Sequence, residues 1–156
     1  MGATTLPSLN LIDKLSSDFP QFIFKNAHAS RWSPQEKTVY YHDAVSTHGQ
    51  YELLHELGHA LLDHDSYTHD VELLSIEREA WDKAVELAPS YGLAIDDDAV
   101  EEQLDTYRNW LHARSRCPNC HVAGFQQTTR NYNCLLCGVS WRANEAKHCG
   151  LRRYTQ

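Results

Sequence analysis

The stretch from Tyr51 to Leu62, YELLHELGHALL, constrains this chain more than any other part of its sequence. On a helix, His55 and His59 are about 40° apart around the axis, so both imidazoles can reach one tetrahedral metal ion. Glu56 lies about 100° from His55, where a carboxylate can take a proton from a water molecule. His-Glu-x-x-His at this spacing is typical of zinc-peptidase helices.

The opposite side of this helix is apolar and carries Leu53, Leu54, Leu57, Ala60 and Leu61. This stripe predicts a helix that packs on a core and turns its histidines toward a cleft. A capping pair of Thr47 and Gln50 predicts that the helix begins at Thr47, and we expect it to run to about His64. On a continuous helix His64 lies about 180° from His55, so we do not expect it to bind the same ion.

A third ligand is predicted on the next helix, which we expect over residues 70–88. On a wheel of about 100° per residue, Glu77 lies at the centre of an apolar stripe formed by Leu73, Leu74, Ala80, Trp81, Ala84 and Ala88. A buried carboxylate is costly unless it is paired with a cation or bound to a metal. Glu72 and Glu79 face outward on the same wheel. The geometry favours Glu77 as the third zinc ligand, with a buried ion pair as the alternative.

Two motifs, HELGHALL at 55–62 and EREA at 77–80, resemble those of the ImmA/IrrE peptidases over roughly residues 35–90. The resemblance implies a compact gluzincin-type zinc endopeptidase in which Glu77, the first Glu of the second motif, binds the metal. Family members cleave helix-turn-helix repressors, which implies a cytosolic regulatory protein as the substrate. Trp81 stands where the family has Asn, so the side chain that would orient a ligand histidine is not in its usual place.

Four cysteines form two pairs, Cys117 with Cys120 and Cys134 with Cys137, and 13 residues separate the pairs. This spacing is typical of a zinc ribbon, in which four thiolates hold one structural Zn²⁺. We expect ribbon strands over 125–129 and 139–142. Cys149 has no place in this pattern. The sequence therefore predicts two zinc ions per chain, one catalytic and one structural.

The remaining patterns predict an α+β fold with a zinc metallopeptidase domain over 1–114 and a zinc-ribbon domain over 115–156. Short elements are expected as a helix over 9–17, strands over 22–24 and 37–41, a loop over 26–34 between them, and a helix over 96–114. In zinc peptidases of this build an extended substrate pairs with a strand above the active helix. The strands at 22–24 and 37–41 are the two candidates for this role, and the second lies nearer to that helix in sequence.

The charge is unevenly distributed along the chain. Residues 1–114 hold 8 Lys and Arg against 20 Asp and Glu, a net charge of −12, whereas residues 115–156 hold 6 against 1, a net charge of +5. The basic tail contains Arg116, Arg130, Arg142 and Lys147 together with Tyr132 and Trp141. These residues predict contacts with single-stranded nucleic acid, which would control the peptidase, or packing of the two aromatic rings on the body.

Composition limits the classes that this chain can belong to. No apolar run approaches the ~20 residues of a membrane span, and Met1–Pro7 shows no signal-peptide pattern, so we expect a cytoplasmic protein. Two alternatives stay open beside a repressor-cleaving enzyme. One is a Spartan-like protease that acts on DNA-bound proteins and uses three histidines. The other is a non-enzymatic zinc-ribbon adaptor, against which the intact Glu56 argues.

Overall fold

The computed structural model of the protein describes residues 10–147 and 149–156. The described residues form four α-helices and two sheets, so the predicted mixed α and β class is confirmed. The elements are α1 (Leu11–Asp18), β1 (Ile23–Asn26), β2 (Arg31–Ser33), β3 (Thr38–Tyr41), α2 (Thr47–Leu61), α3 (Asp70–Leu87), a 3₁₀ helix (Ala88–Tyr91), α4 (Asp97–Ser115), β4 (Phe125–Thr128), β5 (Asn131–Asn133), β6 (Ser140–Ala143) and β7 (Arg153–Thr155). The predicted start of the first helix, Leu9, and the N-terminal residues Met1–Pro7 lie outside the described residues.

The chain divides into two compact units. Unit 1 comprises Met1–Asp65 and Glu79–Ile95, and unit 2 comprises Ser66–Arg78 and Asp96–Gln156. Helix α3 is continuous and contributes residues to both. The functional division into a peptidase domain and a ribbon domain at 114/115 stays a prediction. Among the described residues, no helix combines the length and the apolar character that a membrane span requires.

The sheet of unit 1 has the strand order β1-β3-β2, with β1 parallel and β2 antiparallel to β3. The loop predicted over 26–34 was wrong in part, because Arg31–Ser33 form β2 and pair with Thr38–Tyr40. This strand is too short to show an alternating pattern, and its pairing with β3 decides its conformation. Because β3 has hydrogen-bonded neighbours on both sides, it cannot accept a further strand. The edges of this sheet are β1 and β2, so the expectation that 37–41 pairs with substrate is corrected.

Helix α2 begins at the predicted residue, Thr47, but its capping residue and its end differ from the prediction. Its N-cap is Ser46, whose hydroxyl accepts a hydrogen bond from Gly49 N at 3.1 Å, so Thr47 is the first helical residue. The helix ends at Leu61, three residues before the predicted end. Asp63 has a φ of 53°, a left-handed conformation that stops the helix and reverses the chain.

The apolar face of α2 lies in the core of unit 1, as its stripe predicts. Leu53, Leu54 and Leu57 are fully buried. On the neighbouring face, a Cβ atom added to Gly58 would lie 2.4 Å from the carbonyl oxygen of Ala80 in α3. The absence of a side chain at Gly58 therefore allows the two helices to approach at this point.

The sheet of unit 2 has the order β4-β5-β6-β7, and all its strand pairs are antiparallel. Its core contains Cys117, Tyr132, Cys134 and Trp141. The rings of Tyr132 and Trp141 are parallel, with centroids 5.6 Å apart, and the indole N–H of Trp141 donates to the carbonyl oxygen of Arg114 at 2.9 Å. Because both rings are buried, the expectation that they stack on nucleic-acid bases was wrong.

A buried ion pair completes the core of unit 2. The Arg114 guanidinium donates to Asp70 Oδ2 at 2.7 Å, and the Tyr132 hydroxyl donates to the same carboxylate oxygen. Both charged residues are almost fully buried. Asp70, the first residue of α3, is thus a buried partner of Arg114, and this ion pair connects the start of α3 to α4 within this unit.

Candidate metal centres

The two histidines of α2 direct the same nitrogen atom toward each other. His55 Nε2 and His59 Nε2 lie 3.1 Å apart, and both residues are buried. Two nitrogen ligands of one tetrahedral zinc ion are about 3.3 Å apart, because each Zn–N bond is about 2.0–2.1 Å long. The observed spacing therefore fits two ligands that share one ion.

Glu77 is the third member of this group. A carboxylate oxygen of Glu77 and one ring nitrogen from each of His55 and His59 all lie within 4.8 Å of one another. Glu77 is only 6% exposed, whereas Glu72 and Glu79 are much more exposed at the surface of α3. Two imidazoles and one buried carboxylate form a donor set that suits zinc.

Trp81 positions His55 by stacking. The two rings are nearly parallel, with an interplanar angle of 11° and centroids 4.4 Å apart. Trp81 lies one helical turn after Glu77 and one residue after Ala80, which lies against Gly58. Trp81, which stands where the resembled family has Asn, thus contacts the candidate ligand His55 through its ring face rather than through a hydrogen bond.

Glu56 lies beside the histidines and is held by the edge strand β2. Its Oε2 accepts a hydrogen bond from the backbone N–H of Trp32 at 2.8 Å, and its Oε1 lies 3.5 Å from His55 Nδ1. Its side chain is 15% exposed. The carboxylate is therefore oriented through Oε2, while Oε1 lies beside the His55 ring.

His64 lies on the same side of α2 as His59, contrary to the helical-wheel expectation. Because α2 ends at Leu61 and the chain reverses at Asp63, His64 Nδ1 comes within 2.9 Å of His59 Nδ1. His64 Nε2 lies 3.2 Å from Glu79 Oε2. His64 contacts a candidate ligand, and it is not in the group of converging donor atoms.

The four ribbon cysteines form a second donor group. Cys117 Sγ and Cys137 Sγ are 3.6 Å apart, and Cys120 Sγ and Cys134 Sγ are 3.4 Å apart. Sulfur ligands of one tetrahedral zinc ion are about 3.8 Å apart, because a Zn–S bond is about 2.3 Å long. All four sulfur atoms lie within 4.8 Å of one another. Cys149 is exposed and lies outside this group.

The two Cys-x-x-Cys turns have matching backbone geometry. The residue after each pair, His121 or Gly138, has a positive φ of 66° or 76°. The N–H of each donates to the carbonyl oxygen of the first cysteine of its pair, Cys117 at 3.0 Å or Cys134 at 2.9 Å. Gly138 could be predicted for such a turn, whereas His121 could not, because non-glycine residues rarely adopt this conformation.

The protonation of the thiols also fits a bound cation. The backbone N–H of Val139 lowers the pKa of Cys137 to about 6. The backbone N–H of Val122 favours the thiolate of Cys120, but burial and the three neighbouring thiol groups raise the pKa of Cys120 to about 12. Thiolates at this spacing repel one another, and a cation removes that repulsion.

Tyr67, His69 and Tyr91 are polar side chains of the kind that could stabilise a developing oxyanion. The Tyr91 hydroxyl donates to Asp18 at 2.7 Å, and burial raises its pKa. His69 Nδ1 lies 3.1 Å from the Thr68 hydroxyl. Tyr67 lines a cavity of about 310 Å³ within unit 2 that also contains Trp110 and Arg114. The described contacts do not select any of the three for that role.

In comparisons with known proteins, no family model, no curated protein and no solved structure matches this chain. The two donor groups and the residues around them are therefore the features that point to a function.

Proposed function

We propose that the protein is a cytoplasmic zinc-dependent endopeptidase of the gluzincin type, similar to the ImmA/IrrE peptidases, with a zinc ribbon in its C-terminal part. The observation that carries this proposal is the convergence of His55, His59 and Glu77. Glu56 lies next to this group and is oriented by a backbone N–H of an edge strand. These residues supply three metal ligands and one candidate base, which a metal-assisted hydrolase requires.

In the proposed mechanism, His55, His59 and Glu77 hold the catalytic zinc ion, and the four cysteines hold the structural one. When bound, the catalytic zinc supplies Lewis acidity, which polarises a peptide carbonyl and makes water more acidic. Glu56 takes a proton from the attacking water and delivers it to the leaving amine. The Trp32 N–H keeps Glu56 Oε2 in place, and Oε1, which lies beside the candidate ligand His55, is proposed to accept the proton.

The proposed substrate is a separate regulatory protein, and the resemblance to ImmA/IrrE peptidases favours a helix-turn-helix repressor. An extended segment of that protein would pair with the sheet edge at β2, because β3 is already paired on both sides. Since Glu56 is hydrogen-bonded to β2, this edge strand lies next to the candidate base.

The test of this proposal is the substitution Glu56→Gln in the full chain. Both metals should be retained, whereas cleavage of a diverse peptide library, followed by mass spectrometry, should be lost because an amide cannot accept the proton. Glu52→Gln, one turn earlier on the same helix, is the matched control and should keep wild-type cleavage. A Glu56→Gln protein that cleaves at most of the wild-type rate would contradict the mechanism. A wild-type protein that binds both metals and cleaves nothing would favour the adaptor.

The donor set separates the proposal from a Spartan-like protease. That family uses three histidine ligands, whereas the described residues bring together two histidines and Glu77. The third histidine near this group, His64, contacts His59 instead of converging with the donor atoms. This arrangement supports the gluzincin type of ligand set.

A second partner, single-stranded nucleic acid, is proposed for the outward face of the ribbon sheet. Strand register places Phe125, Arg142 and Tyr154 on the face opposite to Tyr132 and Trp141. Phe125 is 58% exposed, Tyr154 is 43% exposed, and the Arg142 guanidinium lies 5.1 Å from the Tyr154 ring centroid. Exposed aromatic rings beside arginine can stack on bases and contact phosphates, and the net positive charge of residues 115–156 favours such a polyanion.

Binding of a labelled oligothymidylate across a salt series tests this partner. Tyr154→Ala should weaken binding by about 1–3 kcal/mol, because it removes one stacking ring. Arg142→Ala should also reduce the salt dependence, because it removes one phosphate contact. Thr106→Ala, on the exposed surface of α4, is the control and should bind as the wild type does. An absence of binding at low salt would refute this partner and leave the peptidase proposal intact.

A further inference from the structure

We propose that His64 and Glu79, here called the His64–Glu79 pair, are positioning residues that orient the metal ligand His59. The inference rests on the proposed His55–His59–Glu77 metal site and extends it beyond its three ligands. His59 uses its two ring nitrogens differently. Its Nε2 faces His55 Nε2 at 3.1 Å, and its Nδ1 faces His64 Nδ1 at 2.9 Å.

The proposed metal at one end and the Glu79 carboxylate at the other determine which ring nitrogen of His59 and of His64 carries the proton. A His59 ring that binds a metal through Nε2 carries its proton on Nδ1, and this N–H donates to His64 Nδ1. His64 then accepts at Nδ1 and carries its own proton on Nε2. That N–H lies 3.2 Å from Glu79 Oε2, a carboxylate oxygen that can only accept. Each ring nitrogen of His59 and His64 therefore has one role, as metal ligand, hydrogen-bond donor or hydrogen-bond acceptor, and these roles are mutually consistent.

The local fold holds His64 in this position. The His64 N–H donates to the His59 carbonyl oxygen at 3.0 Å, and the His64 carbonyl oxygen accepts from the Trp32 indole N–H at 3.0 Å. The left-handed residue Asp63 makes this return toward α2 geometrically possible. The His64 side chain is only 13% exposed, so its ring is well fixed when it meets His59.

The pair gives His59 a hydrogen-bonding partner that does not come from position 81, where this chain has Trp and the resembled family has Asn. Trp81 lies flat on the other histidine, His55, and its indole N–H points along the ring plane rather than toward that ring face. A carboxylate that acts on a ligand histidine through a hydrogen bond fixes the ring orientation and raises its basicity. Here Glu79 acts on His59 through one intervening imidazole, so it influences the metal without contacting it.

Glu79 belongs to the pair although it faces outward on the helical wheel. Its side chain is 59% exposed, as the wheel predicts, and its carboxylate nevertheless reaches His64. Because Glu79 lies at the surface, its substitution should not disturb the core. This makes Glu79→Gln the cleanest test of the pair.

Cobalt titration of the full chain measures the effect directly. Co²⁺ at the His55–His59–Glu77 group gives a weak visible band, whereas Co²⁺ bound to the four cysteines gives strong thiolate absorption and serves as an internal control. Glu79→Gln and His64→Ala should each lower the affinity of the first group by about 10–100-fold and leave the thiolate absorption unchanged. Glu86→Gln, at an exposed position of the same helix, should bind like the wild type.

Two further variants separate positioning from general structural support. His64→Asn keeps an acceptor near the position of Nδ1, so it should recover part of the affinity lost in His64→Ala. The combined variant His64→Ala with Glu79→Gln should lose no more than His64→Ala, because Glu79 acts through His64. If Glu79→Gln and His64→Ala both bind Co²⁺ at the His55–His59–Glu77 group within twofold of the wild-type affinity, the positioning role of the pair is refuted and the proposed metal site is unaffected. If the wild-type titration shows thiolate absorption and no weak visible band, the proposed His55–His59–Glu77 metal site is itself refuted.

Discussion

At the residue scale, the burial of Glu77 is the strongest sign of a metal site. A carboxylate that is 6% exposed beside two buried imidazoles costs free energy unless a cation offsets the loss of hydration. His55 and His59 can each present Nε2 to such a cation while their Nδ1 atoms face other partners. The local chemistry of these three residues is therefore compatible with one shared ion.

Replacing Glu77 tests this explanation. Glu77→Ala should remove about one metal equivalent per chain, because two histidines alone seldom hold zinc tightly. Glu86→Ala, a substitution of the same kind at an exposed position of α3, should keep the full metal content. Metal analysis after dialysis measures both. Retention of full metal content in Glu77→Ala would assign the third ligand to another side chain.

The residue-scale predictions succeeded where the geometry is local. The place of Glu77 on a wheel depends on α3 alone, so its burial among apolar residues could be predicted from the sequence. The contacts of His64 and Trp32 depend on a chain reversal at Asp63 and on the pairing of β2. No local pattern encodes these two features, although His64 follows the His-Glu-x-x-His motif by only five residues.

At the element scale, the approach of α2 to α3 at Gly58 controls the geometry of the site. The two helices meet where Gly58 lies against the Ala80 backbone, one residue before Trp81 stacks on His55. Glu77 is carried by the same helix, one turn earlier. A change in the distance between the helices should therefore alter both the stability of unit 1 and the convergence of the ligands.

Gly58→Ala should destabilise the protein, which is the opposite of its usual effect. In an unobstructed helix interior the change stabilises by about 0.8–1 kcal/mol. Here the new methyl group would lie 2.4 Å from the Ala80 oxygen, and separating the helices should cost about 1–3 kcal/mol. Chemical denaturation followed by circular dichroism measures the free energy of unfolding. Stabilisation by Gly58→Ala would show that the two helices are not in close contact.

The helices were easier to predict than the strands for a physical reason. The predicted helices over 47–64, 70–88 and 96–114 correspond to α2, α3 and α4, because helical hydrogen bonds are local and periodic. Strands β2, β5 and β7 have three residues each and were missed, since segments this short show no alternating pattern and pairing with a neighbouring strand determines their conformation. Missing β2 limited the prediction of the site, because the backbone of this strand donates the hydrogen bond that orients Glu56.

At the scale of the whole molecule, one chain contains two donor groups of different chemistry. The four cysteines could be predicted from spacing, because each Cys-x-x-Cys turn is a local structure. The substrate could not, because its recognition depends on surfaces that no motif specifies. The burial of Tyr132 and Trp141 could not be predicted either, since only the folded sheet of unit 2 reveals which of its faces is exposed.

The zinc content of the purified, fully reduced chain tests the central claim most directly. We expect about two zinc ions per chain, because the two ligand sets share no residue. His55→Ala should lower the content to one and leave the ribbon folded, and the double change Cys117→Ser with Cys134→Ser should remove the other ion and unfold the ribbon. A wild-type content of one zinc ion, with all five cysteines reduced, would contradict the account.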